Sequence, residues 1–351
     1  MKNTLCVAIS LALFSACTKS TGGGPVAPDS GETVYVSGSN WDNATNAFVP
    51  LYWEDTTVHY LPGGTPMSTY ARAIAYSGNQ LYIAGQATAW VPTGGLWING
   101  VQKDISTKDT VGIGDVLGMY VSGADVYLAG NGVNAWSDYG YNTYAKIWKN
   151  GVTTTLNTNP GFSQANGITM VGADVYVAWT GTKNNGHNMA LYNKNGTIVV
   201  LDSSDYDASC HSICSSGSDM YISGNVFDVA SNRYEGVYWK NGSLIKLQVS
   251  NEDTYASGIT TSGNDVYVAG NIYLSNKVYA AYWKNGVEHR VTDGAVPAAA
   301  YAIAVSGSDV YVAGVENLLV PTYWKNDVPH VLSNDTARTP YTTTGIVVVK
   351  K

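Results

Sequence analysis

Hydrophobic and polar positions alternate with period two along most of the chain, in short runs rich in Val, Ile, Tyr, Trp and Thr that Gly and Asn interrupt. None of these runs has the 3.6-residue apolar spacing of a helix, so the pattern predicts strands. The runs are also copies of one another. Ser306-Gly307-Ser308-Asp309-Val310-Tyr311-Val312-Ala313-Gly314 has counterparts centred on Tyr35, Tyr82, Tyr127, Tyr176, Tyr221 and Tyr267, at intervals of about 46 residues. Seven units of this period, all of strand type, indicate propeller blades rather than a helical array.

Each unit divides into four strands. The first is 301–305, with counterparts at 72–76, 117–121, 166–170, 211–215 and 257–261. A Ser-Gly-x-Asp turn leads into the second, 310–313; its Gly and Asp suit the positive φ and side-chain-to-backbone bonds of a tight hairpin. The third carries an aromatic pair, Tyr282-Trp283, matched by Tyr52-Trp53, Leu96-Trp97, Ile147-Trp148, Leu191-Tyr192, Tyr238-Trp239 and Tyr323-Trp324. Asn-Gly at 99–100, 150–151, 195–196, 241–242 and 285–286 marks the hairpin into the fourth. The expected fold is all-β: a seven-bladed β-propeller with four antiparallel strands per blade, whose radial repetition protects the sheet edges. The first unit starts at strand two, near Val34, while Gly345-Ile346-Val347-Val348-Val349 is an orphan that matches strand one elsewhere. The C-terminal strand is therefore expected to complete the first blade and close the ring.

The first 17 residues read as an export signal. Lys2 supplies the positive end, residues 5–14 an apolar run too short to span a bilayer, and Ser15-Ala16-Cys17 a small-residue processing site. This segment resembles a bacterial lipoprotein signal, although Phe14 stands where Leu is usual. The resemblance implies lipidation at Cys17, anchorage in the bacterial cell envelope and, because Thr18 rather than Asp follows the cysteine, the outer membrane, with the periplasmic or surface side left open. Residues 18–30 are a Gly/Ser/Pro tether with almost nothing to bury. Residues 31–351 have no composition break and form one domain. Their repeat resembles kelch-type propeller repeats and the HAF repeats of bacterial extracellular proteins, which implies fold and export only. One Gly followed by Asn131, Asn225 or Asn271 stands where kelch repeats carry a Gly pair.

Charge narrows the partners. Only 13% of residues are charged and the net charge is -7, which argues against nucleic acid and leaves the lipid anchor as the expected membrane contact. A neutral glycan or a protein partner fits this balance, with the chain itself expected to be monomeric. Strand direction puts the uniform Ser-Gly-x-Asp and Lys-Asn-Gly turns at one end of the ring. The loops between strands two and three, and between blades, lie at the other, variable end, the expected working face. The longest of these is expected at 131–143, carrying Trp136, Tyr139 and Tyr141. Four tryptophans fall outside the repeated strand-three position: Trp41, Trp90, Trp136 and Trp179, the last replacing the usual Gly. Aromatic faces beside Asn and Asp suit sugar rings, which stack through C–H patches and hydrogen-bond through hydroxyls; packing within the loops is the competing role.

A second candidate set is the residue at the start of strand one. This column reads Thr344, Arg72, Leu117, Asn166, His211, Ser257 and Tyr301, a polar variety unlike the rest of the repeat. Solvated strand starts are its bland reading, and a ligand pocket at the channel mouth its functional one. Asp205, Asp207, Asp253 and Tyr255 precede the same strands; they make calcium a weak candidate without a Ca²⁺-loop motif, and no other cofactor is indicated. With Glu235, these aspartates are also the candidates for a hydrolytic carboxylate pair. Cys210 and Cys214 are expected on one face of a strand, about 13 Å apart at the usual rise. That is too far for a disulfide. The function expected is ligand binding on an anchored propeller. A carbohydrate-active enzyme on the same face and a docking platform are the alternatives.

Overall fold

The computed structural model describes residues 31–63, 69–88, 93–105, 114–137, 140–156, 162–202, 204–247, 252–317, 319–332 and 338–351. The signal, the tether and Cys17 lie outside them. The described residues form seven four-stranded antiparallel sheets and no helix, a seven-bladed β-propeller. Blades two to seven each take four consecutive strands, with inner strands Tyr70–Ser77, Asp115–Ser122, Gln164–Val171, Ala208–Ser216, Asp253–Ser262 and Ala298–Ser306. Blade one is completed by the C-terminal strand Arg338–Lys350, which pairs with Glu32–Asp42. Each inner strand touches the next around a closed ring.

The core is not one mass but seven layers, one at each blade junction, and each layer holds one tryptophan. Trp97, Trp148, Trp239, Trp283, Trp324 and Trp53 occupy six of them from the repeated strand-three position. The seventh, between blades three and four, is filled by Trp179 from strand two. Register explains the exchange. Asn193, not Tyr192, stands where the other blades have their strand-three tryptophan, since it pairs with Val177 as Trp239 pairs with Ile222. This corrects the expected Leu191-Tyr192 equivalence by one residue. Elsewhere a strand-two glycine leaves room for the indole: a Cβ at Gly38 or Gly224 would lie 2.7 Å from Trp53 or Trp239. In blade four the indole itself starts from the glycine position.

The repeated turns explain themselves at the uniform end. In blade five Lys240 binds Asp219 at 2.8 Å, Asn241 Nδ2 donates to Asp219 at 2.8 Å, and the Lys240 ammonium lies 5.4 Å from the Tyr221 ring. The same arrangement recurs around Asp125, Asp174, Asp265 and Asp309. The lysine and asparagine hold these half-buried carboxyls below their ordinary pKa. The Asp-x-Tyr and Lys-Asn-Gly motifs thus clasp two hairpins of one blade, a structural use. At the seam, Glu32 accepts from Ser306 at 2.6 Å and from the Tyr311 hydroxyl, tying blade one to blade seven.

The segment 131–143 departs from the expected loop. Strand Asp125–Ser137 continues into it and Gly140–Lys149 returns, because Asn134 pairs with Asn142 and Val133 with Thr143 and the ladder extends outward.

Candidate ligand site in the central channel

Every inner strand carries a β-bulge at the same level. Arg72, Leu117, Asn166, His211, Tyr301 and Thr344 are each the extra residue where pairing slips. In blade six Ser257 and Gly258 together face the partner strand where one residue would fit. These seven positions are the polar column singled out in the sequence. A bulge re-aims a side chain out of the strand's regular alternation. Glycine on strand two permits it: a Cβ at Gly85, Gly130, Gly224, Gly270 or Gly314 would lie 1.9–2.0 Å from the carbonyl oxygen two residues before the bulge. The absent side chain gives strand one room to bow inward in those blades, whereas blade four bulges at Asn166 opposite Trp179, so the bulge does not require the glycine.

The seven bulge residues line a cavity of about 500 Å³ in the channel. Next in each strand comes a small residue, such as Ala73, Gly118 or Ser212, and then Ile74, Met119, Ile168, Ile213, Ile259, Ile303 or Ile346. Small residues are needed because the inner strands converge; a Cβ at Gly118 would approach the Gly167 Cα to 2.5 Å. The cavity therefore has a polar, varied ring toward the variable end and an apolar ring one step deeper.

Four of the polar members are held in defined ways. The Arg72 guanidinium lies 4.6 Å from the Tyr70 ring and 3.6 Å from the Asp115 carboxylate. Burial raises the Asp115 pKa, and Arg72 opposes that shift. Asn166 donates to the Cys210 carbonyl at 2.7 Å and to Thr180 Oγ1 at 3.3 Å, a bond set that leaves its Oδ1 to the cavity. Thr344 donates to the Ala71 carbonyl at 3.0 Å, bridging blades one and two. His211 has a determined tautomer. Asn225 Oδ1 accepts from the Ala256 N–H, so its Nδ2 is the end that meets His211 Nε2 at 2.8 Å, and Ser209 Oγ reaches the same nitrogen at 3.0 Å. Nε2 is then an acceptor and the ring proton sits on Nδ1. The residue is exposed to solvent in the channel, and desolvation by the surrounding channel walls lowers the pKa of its ring; it is neutral at pH 7. The ring of side chains presents donors, acceptors and a single compensated charge pair.

The remaining candidates are spread elsewhere. Trp41 is half-buried at the variable end, 4.9 Å from Phe48 at 72°. Trp179 is 4% exposed, in the core between blades three and four. Trp90 and Tyr139 lie outside the described residues, as does the side chain of Trp136. The aspartates do not enter the cavity. Asp207 accepts from Asn188 N at 2.8 Å, Tyr234 Oη at 3.3 Å and His187 Nδ1 at 3.2 Å. Asp253 accepts from Tyr234 N at 3.2 Å, Glu235 binds Lys246 at 2.6 Å, and the Asp205 carbonyl receives Asn185 Nδ2. Among the described residues no three His, Cys, Asp or Glu side chains gather as a metal site.

Cys210 and Cys214 are both free thiols, but they do not share a face. The bulge at His211 adds a residue between them and reverses the alternation, so Cys210 packs toward blade four and Cys214 toward blade six. Burial pushes both thiols up to about 12. Thiolate is the reactive form, so a thiol reagent at pH 8 should leave both unmodified in the native propeller from Pro25 onward and label both in denaturant. Rapid labelling of the native protein, read by mass spectrometry, would contradict this packing.

No protein-family model matches the chain, and neither does any curated protein sequence. Solved structures do resemble it. A puromycin-hydrolyzing peptidase of Mycobacterium tuberculosis superposes with a TM-score of 0.58 at 10% identity over 88% of this chain and 52% of that one. An acylaminoacyl peptidase of Pyrococcus horikoshii gives 0.52 at 10% identity over 86% and 50%. The Trypanosoma rangeli sialidase in complex with sialic acid gives 0.42 at 10% identity over 78% and 55%. The chain spans about half the length of each. At this identity the likeness shows the fold alone: a seven-bladed β-propeller, here with a cavity lined by one bulge residue from every blade.

Proposed function

We propose that this chain is an exported, lipid-anchored propeller of the bacterial cell envelope, acting as a monomer, that binds a neutral polar ligand of glycan type in its channel cavity. The observation that carries the reading is the ring of seven bulges. The backbone departs from regular pairing at one level in all seven blades, and the side chains that the bulges turn into the cavity differ from blade to blade. A purely structural ring would be served by one repeated residue. The cavity volume falls within the ~300–1,000 Å³ of small-molecule sites, and the mixture of Asn, Ser, Thr, Tyr, neutral His and the Asp115-paired Arg72, with Leu117, over a ring of Ile and Met119 suits the hydroxyl edges and apolar faces of a sugar. The anchor rests on Cys17 and the preceding apolar run, and the outer membrane on Thr18. The kelch-like and HAF-like character of the repeat supports export.

The test is a panel of neutral and acidic oligosaccharides offered to protein from Pro25 onward, with and without calcium, following tryptophan fluorescence and product release together. A fluorescence change without product supports binding. Product release would replace it with a carbohydrate-active enzyme, and a flat response across the panel would remove the glycan. Labelled-palmitate incorporation lost in Cys17→Ser would support the anchor.

A further inference from the structure

A second feature of the variable end lies outside both the channel ring and the seven buried layers. Six aromatic rings form an unbroken series across blades four to six: His187, Tyr206, Phe227, Tyr234, Tyr255 and Tyr273, with successive centroids 6.3, 6.0, 5.3, 5.5 and 5.3 Å apart. Tyr206 and Tyr273 are 40% and 45% exposed, and the rings between them are half-buried. We propose that this ridge is a track on which a neutral glycan chain stacks successive sugar rings, at a site separate from the channel cavity.

Three observations carry it. The fold does not demand the rings, since at the junction of blades four and five the positions equivalent to Phe227, Tyr234 and Tyr255 are Thr182, Asn188 and Ser209, and that junction closes as well. Where aromatics do recur, they recur with the same geometry. Trp41, Phe48 and Tyr70 stand at those positions between blades one and two, at 4.9 Å and 72°, then 4.9 Å and 34°, against 5.3 Å and 71°, then 5.5 Å and 30° in the ridge. Finally, carboxylates flank the rings: Asp207 holds the Tyr234 hydroxyl and Asp253 its backbone N–H. Cores of protein interfaces are depleted in Asp and Glu, and nucleic acid is repelled by them. A sugar chain uses both parts, its C–H faces on the rings and its hydroxyls on the acceptors.

The experiment measures affinity of the full chain for neutral hexose oligomers from disaccharide to hexasaccharide, beside Tyr206→Ala, Tyr273→Ala, their double variant and the channel variant Ser257→Tyr. Both ridge tyrosines are exposed enough that the variants should fold, which an unchanged melting temperature verifies. Affinity rising with oligomer length, weakened about tenfold by each ridge substitution, the scale of truncating an aromatic contact, and retained in Ser257→Tyr supports the track. Length-independent binding, or binding unchanged by the ridge substitutions and lost in Ser257→Tyr, overturns it while leaving the channel reading in place. Binding to none of the oligomers overturns the track.

Discussion

Removing residues 338–351 should abolish the folded monomer. This strand supplies the inner edge of blade one: it pairs with Glu32–Asp42 along its length, and Lys351 N closes on the Gly31 carbonyl. It also places Thr344 and Ile346 in the channel and Ile346 in the layer beside Trp53. Without it the strand Glu32–Asp42 becomes an unpaired edge facing the channel, and exposed edges template aggregation. The expected result is insoluble protein, or a soluble species without a cooperative melt. The fragment 338–351 added in trans should restore part of the folded population. A truncated chain that melts as sharply as the full one would mean the seam contributes little to closure.

Trp283→Ala should be among the most destabilising single truncations of a repeated side chain. The indole is fully buried between blades five and six among Tyr221, Leu247, Ala256 and Val268. Trp→Ala in a core costs about 3–5 kcal/mol. Trp179→Ala should cost a similar amount, because Trp179 is the indole of its own junction despite lying outside the strand-three register. Urea unfolding at unchanged m-value measures both. If Trp179→Ala left stability intact while Trp283→Ala did not, the exchange seen in blade four would lose its structural meaning.

What the sequence made legible is what period and local chemistry encode. Seven copies of Ser-Gly-x-Asp and Lys-Asn-Gly, or their near relatives, give blade number and hairpins, and the orphan 345–349 gives closure. The varied column from Arg72 to Thr344 was visible because it interrupts a uniform repeat. That the same column is a ring of bulges was not visible, since a bulge depends on how two strands pair. The parity of Cys210 and Cys214 failed for that reason. The exchange of Trp179 and Asn193 required register across two strands, and the extended hairpin at 131–143 required knowing that polar residues continue a ladder. The aromatic ridge joins six residues of three blades. Its one sequence signal was an aromatic three residues after the strand-two glycine, at Trp41, Phe227 and Tyr273.

The central claim is that the bulge ring forms a ligand cavity, and Ser257→Tyr tests it most directly. Blade seven already carries Tyr301 at the equivalent bulge, so the backbone accepts the substitution, and the new ring occupies the cavity without removing any packing layer. For an oligosaccharide whose binding survives the Tyr206→Ala/Tyr273→Ala double variant, and so does not depend on the ridge, the account predicts an unchanged melting temperature and an affinity reduced by about tenfold or more in Ser257→Tyr. A Ser257→Tyr protein that binds that ligand as the native protein does would contradict it.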